Sequence, residues 1–395
     1  MEWTAVLQGV RMMRFRDVFG RCEERELSQL EAAELLGVSE RTFRRWSQRY
    51  EDEGEAGLLD RRLGKPSPKR VPWDEAERAA RLYQERYAGF TVKHFHEHLV
   101  RDHGFRWGYT WTKTFLHGRG LVAPAPRRGA HRRKRPRRPM AGMMVHQDGS
   151  THRWLAGRDE EQDLIVTLDD ATGAILSAFL VDEEGTMSSF RELGEVFTRH
   201  GLPCSFYTDR GSHYFHTPKA GGKVDRAKPT QVGRALAQLG IEHIAAYSPE
   251  ARGRSERAFR TLQDRLCKEL ALAGVASVDD ANRFLAETFI ADYNERFAVA
   301  PEEPGSAFVA VEVAQWQDVL CVQEERTVAA DNTVRFQGLS LQIPPSPLRP
   351  HYVKAKVRAH HYPDRTHAIF HGPRIAVRHH ANGRLVEDDT IKRAA

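Results

Sequence analysis

Three carboxylates stand where a chain could hold divalent cations. Asp148 closes the apolar run MMV, just past His146 and Gln147, and Asp209 closes CSFYTD, immediately before Arg210, Gly211 and Ser212. Both patterns release an acidic side chain where an apolar strand ends. On adjacent parallel strands such side chains would lie within a few ångströms of each other. Carboxylates that close over an apolar sheet repel, and a divalent cation relieves the repulsion. Glu256, in AYSPEARGRSERAFRTLQDRL, opens a predicted helix. Ala258, Phe259 and Leu262 turn to its core side, while Glu256 shares the other side with Arg260 and Gln263. Asp148, Asp209 and Glu256 form a hard, oxygen-only set that favours Mg2+ or Mn2+ over Zn2+. Two such ions ~3.5 to 4 Å apart suit phosphodiester chemistry, one activating the attacking oxygen and one stabilising the leaving oxygen. No Ser, Tyr or Cys nucleophile is then required.

Other acids compete for these roles. Asp169 and Asp170 fall at a hairpin turn, where Asp also serves by bonding the backbone. Glu250, after Pro249, is an alternative to Glu256. The stretch Asp159 to Asp163 reads as a solvated acidic loop, and Asp264 is too far along its helix. His146 and His213 flank the candidate ligands with either a structural or a phosphate-contacting role. Arg210, Arg252, Arg254, Arg257 and Lys268 lie close in sequence to the ligands and are expected to grip a phosphate backbone.

The elements that must position these residues are strands first, then strand and helix in alternation. MMVHQDGSTHRWL begins as a strand, DLIVTLDDATGAILSAFLV forms a hairpin turning at Asp170 to Gly173, and residues 186 to 200, about 230 to 239 and 253 to 273 are helical. This predicts an α/β domain over residues 141–300 with a mixed sheet flanked by helices. From Val322 to about His380 short strands return, as in TVRFQGLSLQIP and YVKAKVRAHHY, predicting a small β-barrel at 322–382.

Upstream, EERELSQLEAAELLGVSERTFRRWSQRY has the plan of a helix-turn-helix. Ala32, Ala33, Leu35 and Leu36 line one helix, Gly37 supplies the turn, and Ser39 caps a recognition helix that runs to Tyr50. Its polar face would offer Arg41, Arg44, Arg45 and Gln48 to a major groove. A DNA-binding domain is placed at 1–62 and a second all-helical DNA-binding module at 73–123. A linker at 124–140 contains RRGAHRRKRPRR, in which eight of twelve residues are Arg or Lys and none is acidic. Such a block resists packing, so Arg132, Arg133, Lys134 and Arg135 are expected to gain order on DNA.

The whole chain is only mildly basic, 60 Lys and Arg against 54 Asp and Glu in 395 residues, so the polyanionic partner is argued from this local clustering. Four cysteines without CxxC spacing argue against a zinc site or a disulfide framework and for a reducing cytoplasm. No apolar run is long enough to cross a membrane.

VHQDGSTHRWL, FYTDRGSHY and YSPEARGRSERAFRTLQDRL, with the helix-turn-helix before them, resemble the DDE insertion-sequence transposases of the retroviral-integrase superfamily, in an ISNCY-like bacterial group. The likeness covers nearly the whole chain. It implies a ribonuclease-H-like core with Asp148, Asp209 and Glu256 as catalytic metal ligands, and two Mg2+ or Mn2+ ions per site. It also implies binding of terminal inverted repeats, an assembly of at least two chains, cleavage exposing 3′ hydroxyls, and strand transfer into target DNA. A ribonuclease-H-fold nuclease without strand transfer, or a helix-turn-helix regulator with an idle core, are the alternatives. The Asp209 to Glu256 interval of 47 residues (256 − 209) exceeds that of many relatives, and the polar loop at 215–230 absorbs the excess.

Overall fold

A computed structural model describes residues 2–59, 70–124, 135–219, 222–247, 253–346 and 349–386. The chain forms two compact units, Met1–Arg78 and Ala79–Ala395.

The first unit holds α1 (Glu2–Glu23), α2 (Gln29–Leu36), α3 (Glu40–Glu53) and the short α4 (Glu55–Leu58). Local chemistry sets the boundaries. Ser28 and Glu31 form a reciprocal capping box that starts α2, and Gly37, at φ 66°, ends it in the left-handed region. Ser39 Oγ accepts from the Thr42 N–H at 3.3 Å and starts α3 where the sequence placed it. Phe15, Phe19, Ala32, Ala33 and Phe43 form the core, with Trp46 and Tyr50 packed beside it. The buried side of α3 is therefore aromatic, and Arg41, Arg44, Arg45 and Gln48 all lie on its exposed face.

α5 (Trp73–Glu85) crosses the boundary between the units. In the second unit, its later residues Ala79 and Tyr83 pack with α6 (Val92–His103) and α7 (Tyr109–Gly118) around Phe95, Leu99 and Leu116.

Next come β1 (Val145–His152), β2 (Gln162–Asp169), β3 (Ile175–Val181), α8 (Thr186–Arg199), β4 (Ser205–Thr208), α9 (Gln231–Gln238) and β5 (Glu242–Ala245). α10 (Gly253–Leu272), α11 (Val278–Phe284), a π-helical turn (Leu285–Phe289) and α12 (Ile290–Phe297) follow. The five strands form one mixed sheet in the order β3-β2-β1-β4-β5. β1, β4 and β5 are parallel to one another, and β2 and β3 are antiparallel to their neighbours.

Alternation along the strands sends successive side chains to opposite layers. Val166, Leu168, Ala178 and Leu180 meet Phe259, Leu262 and Leu266 of α10. Val145, Leu176 and Phe206 meet Phe190, Leu193 and Val196 of α8 and Val232 of α9. α10 is also held from its far side by α6, through Arg265 Nη1 to Glu97 Oε2 at 2.6 Å, while Arg101 of α6 reaches Asp292 of α12 at 3.1 Å.

The C-terminal strands follow the short α13 (Val313–Trp316): β6 (Val322–Thr327), β7 (Thr333–Phe336), β8 (Leu339–Gln342), β9 (Lys356–His361), β10 (His367–His371) and β11 (Arg374–His379). The expected barrel is not formed. β11-β10-β9-β6 make an open four-stranded sheet and β7-β8 a separate hairpin, so β6 and β11 remain edges. The two pieces nevertheless share one core, Val334, Phe336 and Leu341 against Val357, Ala359 and Ile369. Burial is achieved by stacking sheet on hairpin, which satisfies the same alternating pattern as a closed barrel.

Candidate active site

β1 and β4 pair in parallel with Val145 opposite Phe206 and His146 opposite Tyr207. Extending that register by two residues sets Asp148 abreast of Asp209, just past the end of β4. Asp148 pairs across the other edge of β1 with Val166, whose side chain packs on the α10 layer. Asp148 therefore points toward α10, and Asp209 falls at the same parity one residue past the end of β4. Asp148 is 7% exposed and Asp209 is half-buried. The strand continues past Asp148 to His152 instead of ending there, because its antiparallel pairing with β2 runs on to Gln162. The backbone N–H of Gly211 donates to Asp209 Oδ1 at 2.8 Å and orients that carboxylate.

Glu256 lies in the first turn of α10 and is exposed. The helix is located over β1 from two sides. Two residues before Glu256, Arg254 donates to Asp170, which also accepts from His146 Nε2 on β1 at 2.6 Å. Two turns after it, Gln263 Nε2 donates to Ser150 Oγ on β1 at 3.1 Å. Asp148 lies between His146 and Ser150 on the same side of the strand, as Glu256 lies between Arg254 and Gln263 along the helix. The oxygens of the three acids are not all within 4.8 Å of one another; among the described residues that spacing is met by His94, His98 and Glu269.

Asp170 is fully buried and is the hub of this region. It accepts from His146, from Arg135 and Arg254, and from the backbone N–H of Arg138 at 2.7 Å. Burial alone would raise its pKa, but these donors outweigh burial and hold it well below the usual carboxylate range. Burial likewise depresses the imidazole of His146, which serves as a neutral Nε2–H donor, against the opposing pull of Asp170. Two arginines expected on DNA, Arg135 and Arg254, thus have their guanidinium groups on Asp170. Asp169, the other acid of the hairpin, accepts from the backbone N–H groups of Gly142 and Thr172 at 2.9 and 2.8 Å.

Of the other expected phosphate contacts, Arg210 donates to Gly222 O at 2.7 Å and stacks over Tyr247, and Arg257 is exposed. Lys268 pairs with Asp264 of its own helix. Arg132, Arg133, Lys134, Arg252 and Glu250 lie outside the described residues.

On the opposite layer, behind Asp148, runs a polar network that sequence reasoning did not find. Gln147 donates to the fully buried Glu192 of α8. Tyr214 Oη lies 2.8 Å from Gln147 Oε1 and 3.1 Å from Glu184 Oε1. His213 Nε2 is 3.4 Å from the same Glu184 oxygen. Burial pushes the Glu192 carboxyl well above its ordinary value. The clue was available in part: Gln147 on a buried strand next to a candidate ligand needs partners. A helical Glu among apolar residues was not singled out as that partner.

A helix-turn-helix unit, and an α/β unit whose mixed sheet sets two acids abreast beneath a third acid's helix, define a DNA-processing protein of the integrase type. The comparisons agree. A family model described as a winged helix-turn helix matches residues 21–79, the span of α2, α3 and α4 and the start of α5; the described residues there contain no strand. The chain is 33% identical over 350 residues to y4bF of Sinorhizobium fredii, named as a transposase, covering 88% of this chain and 76% of that one. It is 26% identical over 344 residues to the transposase for insertion sequence IS1202 of Streptococcus pneumoniae, covering 77% and 72%. The chain belongs to the DDE, integrase-type insertion-sequence transposases.

Solved structures give looser likenesses. The magnesium-bound catalytic core of HTLV-2 integrase, in its trimeric form, matches at TM-score 0.29 and 16% identity, over 36% of this chain and 82% of that one. The simian T-cell lymphotropic virus intasome with PP2A regulatory subunit B56 gamma matches at 0.33 and 15%, over 78% and 99%. Among the described residues no helix is long and apolar enough to cross a membrane.

Proposed function

We propose that this DNA transposase binds the terminal inverted repeats of its element, hydrolyses the phosphodiester at each 3′ end, and transfers the freed 3′ hydroxyls into target DNA. In this reading Asp148, Asp209 and Glu256 hold two Mg2+ or Mn2+ ions. The observation that carries it is the bracketing of Asp148 and Glu256 by the His146–Asp170–Arg254 and Ser150–Gln263 contacts. Their donors are all hard carboxylate oxygens on one side of the sheet, which fits those cations.

Bound there, the ions would activate the attacking oxygen and stabilise the leaving one. The chain's own residues orient this centre. Gly211 N–H aims Asp209, β1 fixes Asp148 between two strands, and Asp170 anchors the turn that carries Glu256. Water serves as nucleophile in the first step and the freed 3′ hydroxyl in the second, so the same acids serve both. Arg41, Arg44, Arg45 and Gln48 would read the ends, and Arg132, Arg133, Lys134, Arg210, Arg252 and Arg257 would hold backbone phosphates. The network around Asp170 supports an anchoring role for Arg135 and Arg254. Two ends must be handled together, so at least two chains act in the working complex.

The test incubates the full-length protein with a labelled element end, a supercoiled target plasmid and Mg2+ or Mn2+, and maps the products. Ends joined to target, lost in Asp148→Asn, Asp209→Asn and Glu256→Gln proteins that still bind the ends, are the expected result. Cleavage without joining would convert the reading to a nuclease, and specific binding without either product to a regulator.

A further inference from the structure

A second metal-ligand cluster lies away from the acids discussed above. His94 and His98, 0% and 2% exposed, are one turn apart on the same side of α6. Glu269 of α10 brings Oε1 to 2.6 Å from His94 Nε2 and 3.0 Å from His98 Nε2. The ligand atoms of the three all lie within 4.8 Å of one another.

The hydrogen-bond arrangement points to a cation at their meeting point. His98 Nδ1 is 2.7 Å from Asp102 Oδ2. Arg101 Nε donates to the same Asp102, at Oδ1, at 2.7 Å. The opposite ring nitrogen, Nε2, faces Glu269. A carboxylate that orients the far nitrogen of a histidine is the usual support of a metal-binding imidazole. His94 turns Nε2 toward Glu269, with its Nδ1 buried without a hydrogen-bond partner and its ring stacked on Phe90 at 4.5 Å. Ligands ~2.1 Å from a tetrahedral centre stand about 3.4 Å apart, so Glu269 need withdraw by less than about 1 Å. Glu269 also lines a cavity of about 350 Å³ with Arg265 and Asp292.

We propose that His94, His98 and Glu269 form a zinc site that joins α6 to the distal half of α10. Two imidazole nitrogens and one carboxylate suit Zn2+ and discriminate against Mg2+. The site is separate from the proposed nucleic-acid chemistry: Glu269 and Glu256 are 13 residues apart on one helix, 269 − 256, or about 20 Å at 1.5 Å per residue. The expectation against zinc rested on cysteine spacing, and this site uses no cysteine.

The test measures zinc in the full-length protein after exhaustive dialysis against metal-free buffer. About one zinc per chain is expected in the wild type, in an Asp148→Asn/Asp209→Asn protein, and in a His103→Gln control. The zinc should be lost, at least tenfold, in His94→Gln/His98→Gln. Cobalt replacement should give the visible absorption of a four-coordinate site in the first three proteins alone. If the double-histidine protein does not fold, the wild type decides: stripped protein should melt at a higher temperature when zinc is returned, and magnesium should not replace it. Absence of zinc with no such shift overturns the proposal, leaving a proton between the groups. So does zinc that survives the double-histidine change or disappears with the two aspartates.

Discussion

Arg254 donates to the buried carboxylate of Asp170 from the same helical turn that exposes Glu256. One turn thus faces both ways, inward through a guanidinium and outward through an acid. The orientation of Glu256 depends on a pair that itself touches no substrate.

Breaking that pair should be costly. Asp170→Ala would leave His146, Arg135 and Arg254 without their shared acceptor, and removing one partner of a buried ion pair costs about 3–5 kcal/mol. Chemical denaturation of the full chain should show a loss of that order. The sign with pH follows from the depressed pKa of Asp170: its contribution is present above the ordinary carboxylate pKa and is lost as pH falls toward the folded value.

Arg254 and Arg257 should separate by salt dependence. Arg257 is exposed and free to meet phosphate, so Arg257→Ala should reduce the slope of log K against log salt for end binding by about 1. Arg254→Ala should leave that slope unchanged and instead lower the cleavage rate. A reduced slope in Arg254→Ala would return that residue to the DNA.

Glu192 predicts an unusual pH trend. Its folded pKa is raised, so folding takes up a proton between the unfolded and folded values, and its favourable share of stability declines as pH rises through that window. The decline should approach about 1.4 kcal/mol per pH unit. Glu192→Gln keeps the shape and removes the ionisation. It should match the wild type near pH 4 and become progressively more stable at higher pH, measured as the difference in unfolding free energy across the pH series. Parallel curves would show that Glu192 does not titrate in this way.

In the helix-turn-helix, Ser39→Ala removes the acceptor for the Thr42 N–H and should cost the first unit about 1 kcal/mol. Arg45→Ala, on the exposed face, should leave stability unchanged and weaken binding to the correct end by about 1–3 kcal/mol. Equal losses on correct and scrambled ends would identify Arg45 as a phosphate contact.

The legible parts of the fold were those with a local cause. Ser39, Gly37 and the apolar side of α3 are consecutive in sequence, and the β2–β3 hairpin turns where Asp170 to Gly173 said it would. The strand β5, only Glu242–Ala245, carries too little alternation to stand out, and residues 278–297, helical in the structure, were not read as helix. Barrel closure was not decidable from alternation, because it depends on whether the edge strands β6 and β11 meet. The site divides in the same way. Asp148 and Asp209 each end a visible pattern, but their registry arises from strand pairing across 61 positions (209 − 148). Arg135 and Arg254 read as DNA contacts because sequence shows a charge and not the buried acid that claims it. Glu269 is 171 residues from His98, and no local signal joins them.

The grip of α6 on α10 has a consequence for measurement of the DNA itself. Because Arg265 and Glu97 fasten the distal half of the helix that begins beside Glu256, DNA lying on the α6–α7 module would be held at a set reach from the bond to be cut. At 3.4 Å per base pair, the ~20 Å between Glu256 and Glu269 spans about six base pairs. If the module binds DNA there, the protein would act as a ruler. Inserting residues at 60–69 would leave the cut where it was, whereas moving the bases contacted by the module would carry the cut along with them.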